Sequence, residues 1–183
     1  RGEFRKAQEI DPDFALAYWG EAFTYNHPLI PVLQDPDSPK DVLNRLGSTS
    51  EERLSKAPTN REKGFVRAAE AFAFTDGSLG DKRLAWMYAM QDLYNEFPED
   101  QEVAAFYAVS MLSGATVSRD DRVLNNFLTE SGTEITMQAG AIAMDLFREN
   151  PNHPGAAHYI IHSFDHPTYA PLALTAAEKY ASI

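Results

Sequence analysis

Three prolines divide the chain into helical segments, and they limit its fold more than any other feature. They stand in the short motifs IDPD at 10–13, FPED at 97–100 and ENPN at 149–152. Proline suits the first turn of a helix but not its interior, so each motif predicts the end of one helix and the start of another. Division of this kind is typical of proteins that are built from internal repeats.

The segments between these motifs have the apolar spacing of amphipathic helices. In DFALAYWGEAFTY apolar residues recur every three or four positions, and no segment alternates apolar and polar residues as a strand does. We therefore predict an all-α fold. Thr59 followed by Glu62 forms the capping-box sequence that begins a helix. Other helix starts are predicted at Asp81, at Asp100, and at Ser131 with Glu134, with the last helix ending near Glu149.

The first and third motifs begin two copies of one helical unit. The copies PDFALAYWGEAFTYNHP and PNHPGAAHYIIHSFDHP align when the sequence is shifted by 139 residues, which superimposes Pro12 on Pro151. The matched positions are small, apolar or turn residues: Ala17 with Ala156, Ala22 with Ile161, Tyr25 with Phe164, and Asn26-His27-Pro28 with Asp165-His166-Pro167. A weaker copy, QEVAAFYAVSML, follows Pro98. The chain is therefore built on a repeated helical unit.

This unit resembles the tetratricopeptide (TPR) repeat, which is a hairpin of two helices. The resemblance is carried by aromatic, small and proline residues at the signature positions, with Glu21 where leucine is usual and Ala22 where glycine is usual. For one hairpin these residues are Phe4, Ala7, Pro12, Tyr18, Ala22 and Tyr25; for two looser second helices they are Trp86, Met90, Leu93 and Pro98, and Ala139, Ala143, Leu146 and Pro151. The chain is similar to a group of bacterial TPR-domain proteins.

The resemblance implies a single TPR-like α-solenoid of antiparallel helical hairpins over residues 1–183. The three prolines lie 86 and 53 residues apart, and neither separation is a multiple of the standard repeat of about 34 residues. Repeat lengths are therefore expected to be irregular. The chain begins and ends within a repeat, so we expect apolar ends that further repeats cover, or that support self-association.

In TPR arrays one face of the first helix lines a concave groove in which ligands dock. By this resemblance Leu16, Trp19, Phe23, Asn26 and His27 would line one part of a groove. The equivalent residues of the other copy are Gly155, His158, His162, Asp165 and His166. The predicted function is thus that of a scaffold that binds a protein or peptide in this groove.

His158 and His162 leave two other interpretations open. Residues four apart share one helix face, so the two imidazoles could simply hydrogen-bond neighbouring groups, while His27 and His166 close turns that precede proline. Alternatively, His158 and His162 with Asp165 could bind a metal ion, as a binding protein or a metal-dependent enzyme. Tyr159 stands where a metalloprotease helix has its glutamate base.

Composition narrows the remaining function classes. The chain has 27 acidic against 16 basic residues and a formal net charge of −11, which disfavours nucleic acid as a partner. No apolar run approaches the roughly 20 residues of a membrane span, and there is no cysteine for a disulfide or a thiolate site. We find no phosphate-binding loop and no nucleophile elbow. No cofactor or catalytic residue is predicted, and the sequence does not indicate a location.

Overall fold

The computed structural model describes residues 1–29, 35–115 and 130–182. Within them the regular structure is helical and no strand occurs, which confirms the all-α prediction. None of the described helices is both long enough and apolar enough to cross a membrane. The chain forms two compact units, Arg1–Leu93 and Tyr94–Ile183, and each is described by itself.

The first unit is formed by short and medium helices. These helices are α1 Gly2–Ile10, α2 Ala15–Phe23, α3 Ser38–Leu46, α4 Ser50–Ser55, α5 Asn60–Phe74 and α6 Leu79–Glu96. The last residues of α6 lie beyond the boundary of the unit. Helix α1 packs against α2, α2 packs against α3, and α5 packs against both α2 and α3.

The second unit contains the helices α7 Gln101–Ala115, α8 Glu130–Glu149, α9 Pro154–Ser163 and α10 Leu174–Tyr180, with a 3₁₀ turn at Ala170–Ala173. Helix α7 packs on α8, α8 packs on α9, and α10 packs against α9. The first copy of the repeated sequence therefore forms α2, and the second copy forms α9.

The turn before each copy has the same backbone hydrogen bond. Phe14 N donates to Asp11 O at 3.1 Å, and His153 N donates to Asn150 O at 3.0 Å. The weaker copy has it too, with Asp100 N donating to Phe97 O at 3.1 Å. Each proline lies inside such a turn, where its missing N–H removes no helical hydrogen bond. The predicted stops and restarts at the three prolines are thus confirmed.

Of the four predicted helix starts, those at Thr59 and Asp100 are confirmed and the one at Asp81 is wrong. Thr59 and Glu62 form the capping box of α5, and the Asp100 side chain accepts from Val103 N at 3.0 Å at the start of α7. The helix start predicted at Asp81 is wrong, because α6 begins two residues earlier, at Leu79. The Ser78 hydroxyl accepts from Asp81 N at 3.2 Å, and the Asp81 carboxylate accepts from Ser78 N at 2.7 Å. The cap predicted at the Ser131 side chain lies outside the described part of the chain.

The core of the first unit is aliphatic where α3 meets α5. Leu43 and Leu46 of α3 and Val66 of α5 have no exposed surface, and each such side chain contributes about 1.5–3 kcal/mol by leaving water. Ala15, Tyr18 and Ala22 bring α2 into the same cluster. The amphipathic spacing read from the sequence therefore marks the faces that are buried.

One charged residue, Glu21 of α2, lies within this otherwise apolar face. Its side chain has no exposed surface, and its carboxylate accepts from Arg5 Nε at 2.7 Å, from Gln8 Nε2 at 2.8 Å and from the Arg45 guanidinium. Burial opposes ionisation, but these hydrogen bonds together outweigh it and hold the pKa of Glu21 below its ordinary value. The carboxylate thereby joins α1, α2 and α3.

The core of the second unit is built from small residues. Ala143 of α8 and Ala157 of α9 are buried against Ile160 and Phe164. At Gly140, a Cβ atom would stand 2.6 Å from the Phe164 ring, a distance at which two carbon atoms overlap. Glycine is therefore needed where α8 meets the end of α9, and the small side chains allow the two helices to lie close together.

Candidate functional site

The two histidines of α9 form a direct pair. His158 Nε2 and His162 Nε2 lie 2.9 Å apart, so one ring donates a hydrogen bond and the other accepts it. The ring planes are tilted by 44° and the ring centroids are 4.7 Å apart. Both side chains are half-buried. The prediction that these residues share one helix face is confirmed, and the pair is the most closely associated group of sequence-predicted site residues.

Two tyrosine rings stack on the His158 ring, one from α9 itself and one from α10. The Tyr180 ring of α10 stacks on His158 with centroids 5.1 Å apart, and Tyr159 stacks on it at 5.8 Å. Burial raises the pKa of Tyr159 to about 12, with smaller contributions from Glu102 and Tyr180. The phenol is therefore neutral at ordinary pH. Sequence reasoning missed Tyr180, because nothing in the linear pattern relates α10 to α9.

The beginning of α9 is fixed by His153. Its Nδ1 accepts from Ala156 N at 3.2 Å, which caps the helix, and its Nε2 lies 3.5 Å from a carboxylate oxygen of Glu102. A Cβ atom at Gly155 would stand 3.1 Å from the His153 ring and 3.2 Å from the Tyr159 ring. Gly155 therefore lets the two rings approach the helix start, and His153 belongs to the turn before α9.

A small cleft lies beside the histidine pair, between α8 and the end of α9. Its accessible volume is about 20 Å³, which is room for about one water molecule. Asp165 at its rim is exposed, and the other lining residues combine hydroxyl, imidazole and apolar groups. The residues that line it are Thr133, Thr136, Met137, His162, Ser163, Asp165, His166 and Tyr169.

The three residues of the predicted metal site are not all brought together. Among the described residues, no three His, Asp or Glu side chains lie close enough to hold a metal ion. His158 and His162 are paired, whereas Asp165 lies in the exposed segment after α9. The described geometry therefore offers two metal ligands on α9, and the carboxylate does not complete the set.

His27 and His166 have the same local role in their two copies. His27 Nδ1 accepts from Leu29 N at 3.4 Å, and His166 Nδ1 accepts from Thr168 N at 3.2 Å. Each ring therefore hydrogen-bonds the backbone two residues ahead, across the proline. The prediction that these two histidines close equivalent turns is confirmed.

The residues of the first copy are packed into aromatic contacts within their own unit. The Trp19 ring meets the Phe65 ring edge-on at 5.0 Å, and the Phe23 ring meets the Trp86 ring at 4.9 Å. Trp19 and Phe23 are half-buried, as is Leu16. The ring faces that the TPR resemblance assigns to a groove thus contact side chains of α5 and α6.

Two polar side chains are buried at the end of α2. Asn26 is 4% exposed, and neither atom of its amide has a hydrogen-bond partner among the described residues. Arg83 of α6 is 1% exposed and donates through Nη2 to His27 O at 3.0 Å. Burial lowers the pKa of Arg83 to about 10, so the side chain remains a cation at neutral pH. Sequence reasoning placed Asn26 here but gave no sign of Arg83.

Comparisons with models of known protein families, with curated proteins and with solved structures found no match to this chain. The described residues define an all-helical protein of two compact units; the two closely similar copies of the repeated sequence form α2 in the first unit and α9 in the second.

Proposed function

We propose that this is a TPR-like helical-repeat protein that binds a segment of another protein, or a peptide, at the α8–α9 surface of the second unit. One observation carries the proposal. The position of Phe23, whose ring contacts Trp86 in the first unit, is occupied in the second unit by His162, which lines a small cleft together with Asp165.

The chemistry of this cleft suits a peptide. His162, Asp165 and the threonines of α8 make part of the lining polar, while Met137 and Tyr169 offer apolar contact. Interfaces that recognise peptides combine such polar groups with Met and aromatic side chains. Met137 can also adapt its shape to different guests, because its side chain is unbranched.

Selection from a phage-displayed library of random peptides tests the proposal. A selected peptide, labelled with a fluorophore, is titrated with the full chain and with single variants, and its anisotropy is recorded. We expect His162→Ala and Asp165→Ala each to weaken binding by about 10-fold, the effect of about 1.4 kcal/mol at an interface.

Glu178→Ala provides the matched control, because Glu178 is an exposed carboxylate of α10 outside the cleft. It should bind the peptide as the unaltered chain does. Circular dichroism of each variant checks that the helices are intact. A selection that yields no peptide above background would contradict the proposal, and so would a peptide that binds the Asp165 and Glu178 variants equally.

A further inference from the structure

The histidine pair has the geometry of a chelate. We propose that His158 and His162 bind a divalent transition-metal ion, Cu²⁺ most tightly, through their two Nε2 atoms. This inference is independent of peptide binding. It differs from the three-residue site predicted from the sequence, because it uses two ligands of α9 and leaves out Asp165.

The two nitrogens are close enough for one ion to bind both. His158 Nε2 and His162 Nε2 are 2.9 Å apart, joined by a hydrogen bond that the ion would replace, and two ligands of one ion at metal–nitrogen distances of about 2.0–2.1 Å are about 2.9–3.3 Å apart. Tetragonal coordination by nitrogen and oxygen is characteristic of Cu²⁺ and Ni²⁺, and Cu²⁺ binds such ligands most tightly among the divalent first-row ions.

The two rings are held close together, and the ion would replace the hydrogen bond between them. The helix sets the spacing of the two histidines, and Tyr180 stacks on His158 from α10. The rings meet at 44° instead of lying in one plane. Both must carry their proton on Nδ1 when the ion binds, so that both Nε2 lone pairs face it.

Solvent and charge are compatible with an exchangeable ion. Both imidazoles are half-buried, so an ion can reach them. The chain carries a net charge of −11, which raises the local concentration of cations. Since no described group of three His, Asp or Glu side chains could hold an ion, the remaining positions would be taken by water or by a donor from a bound molecule, as in open metal sites.

Isothermal titration calorimetry of the tag-free full chain with CuCl₂, together with EPR of the copper-loaded chain, tests the proposal. We expect one equivalent of Cu²⁺ and hyperfine coupling to two imidazole nitrogens. The His158→Ala/His162→Ala variant should lose more affinity than the roughly 10–100-fold typical of a changed outer-shell partner. Zn²⁺ should bind more weakly than Cu²⁺.

The matched control is His27→Ala/His166→Ala, which also removes two histidines but leaves the pair intact. It should retain one equivalent and the two-nitrogen spectrum. If the alanine pair variant does not fold, His158→Gln/His162→Gln keeps polar side chains of similar size at both positions, and EPR of the unaltered chain decides separately. Copper binding that survives loss of both α9 histidines would overturn the proposal, as would coupling to one nitrogen or tighter binding of Zn²⁺.

Discussion

Helices α2 and α9 come from one repeated sequence, but their buried faces differ in chemistry. Both follow the same proline turn, and both bury an alanine at the same position, Ala17 in α2 and Ala156 in α9. Four residues further on, α2 buries Glu21 and α9 buries Ile160, each nearly without exposed surface. One position of the repeat therefore holds an ionised carboxylate in one unit and an aliphatic side chain in the other.

The repeat therefore preserves turns and buried small residues but not the polarity of every core position. The carboxylate of Glu21 is accommodated because Arg5 and Arg45 reach it from α1 and α3. Their side chains are 53% and 48% exposed, so they bring charge to the core while keeping contact with water. Ile160 belongs to a cluster of alanines, aromatic rings, methionines and one further isoleucine.

Ile160→Glu should have the largest effect, because it transfers the charge of α2 to a buried site packed mainly by apolar side chains. A buried, unpaired ion costs several kcal/mol, so we expect the second unit to lose about 4 kcal/mol of unfolding free energy. Urea unfolding followed by far-ultraviolet circular dichroism measures this loss. Tryptophan fluorescence reports separately on the first unit, where both tryptophans, Trp19 and Trp86, lie.

Leu172→Glu is the matched control in the same unit, because Leu172 is 53% exposed. Its carboxylate remains in water, so the unfolding free energy should change by less than about 1 kcal/mol. Equal losses in the two variants would show that the contrast between α2 and α9 does not depend on the cations around Glu21.

The pH dependence of the first unit should depend on Glu21. Because its pKa is lowered in the folded state, its contribution is fully present above its ordinary value of 4.5 and is lost as the pH falls through the lowered pKa. One such group changes stability by at most about 1.4 kcal/mol per pH unit.

The measurement is urea unfolding followed by tryptophan fluorescence between about pH 3 and pH 7. The unfolding free energies of the unaltered chain and of Glu21→Gln should differ most above pH 4.5 and converge in acid. Curves that stay parallel over this range would show that the Glu21 carboxylate contributes no pH-dependent stability.

The smallest effects on stability are expected from substitutions of Asn26 and Asp165, which occupy the same position in the two copies of the repeat. Asn26 is buried without a hydrogen-bond partner among the described residues, and Asp165 is exposed. Burying an amide in this way costs about 1–3 kcal/mol, so Asn26→Leu should raise the unfolding free energy by about 1 kcal/mol. Asp165→Leu should change it by less than about 0.5 kcal/mol. Denaturant midpoints measure both, and a loss of stability in Asn26→Leu would contradict the contrast.

The sequence predicted those features that depend on residues close together in the chain. The Thr59–Glu62 capping box, the three proline turns and the shared helix face of His158 and His162 all involve neighbours within one or two helical turns. The same local chemistry explains one error. Ser78 and Asp81 form a reciprocal box, and only its second member was recognised from the sequence.

Features that depend on distant residues were not predictable from the linear pattern. The partners of Glu21 lie 16 and 24 residues away, and Arg83 is 56 residues from the carbonyl group that it contacts. The aromatic cover over Trp19 and Phe23 comes from other helices. The side chains that lie over a helix face cannot be read from an alignment, because residues distant in the chain supply them.

The turns closed by His27 and His166 also determine where each imidazole carries its proton. Nδ1 accepts a backbone hydrogen bond in both residues, so the neutral ring is the Nε2–H tautomer. In the α9 pair the two Nε2 atoms face each other instead, and the proton of either ring can lie between them. Nitrogen chemical shifts should therefore divide these four histidines into two fixed tautomers and one pair that shares a proton.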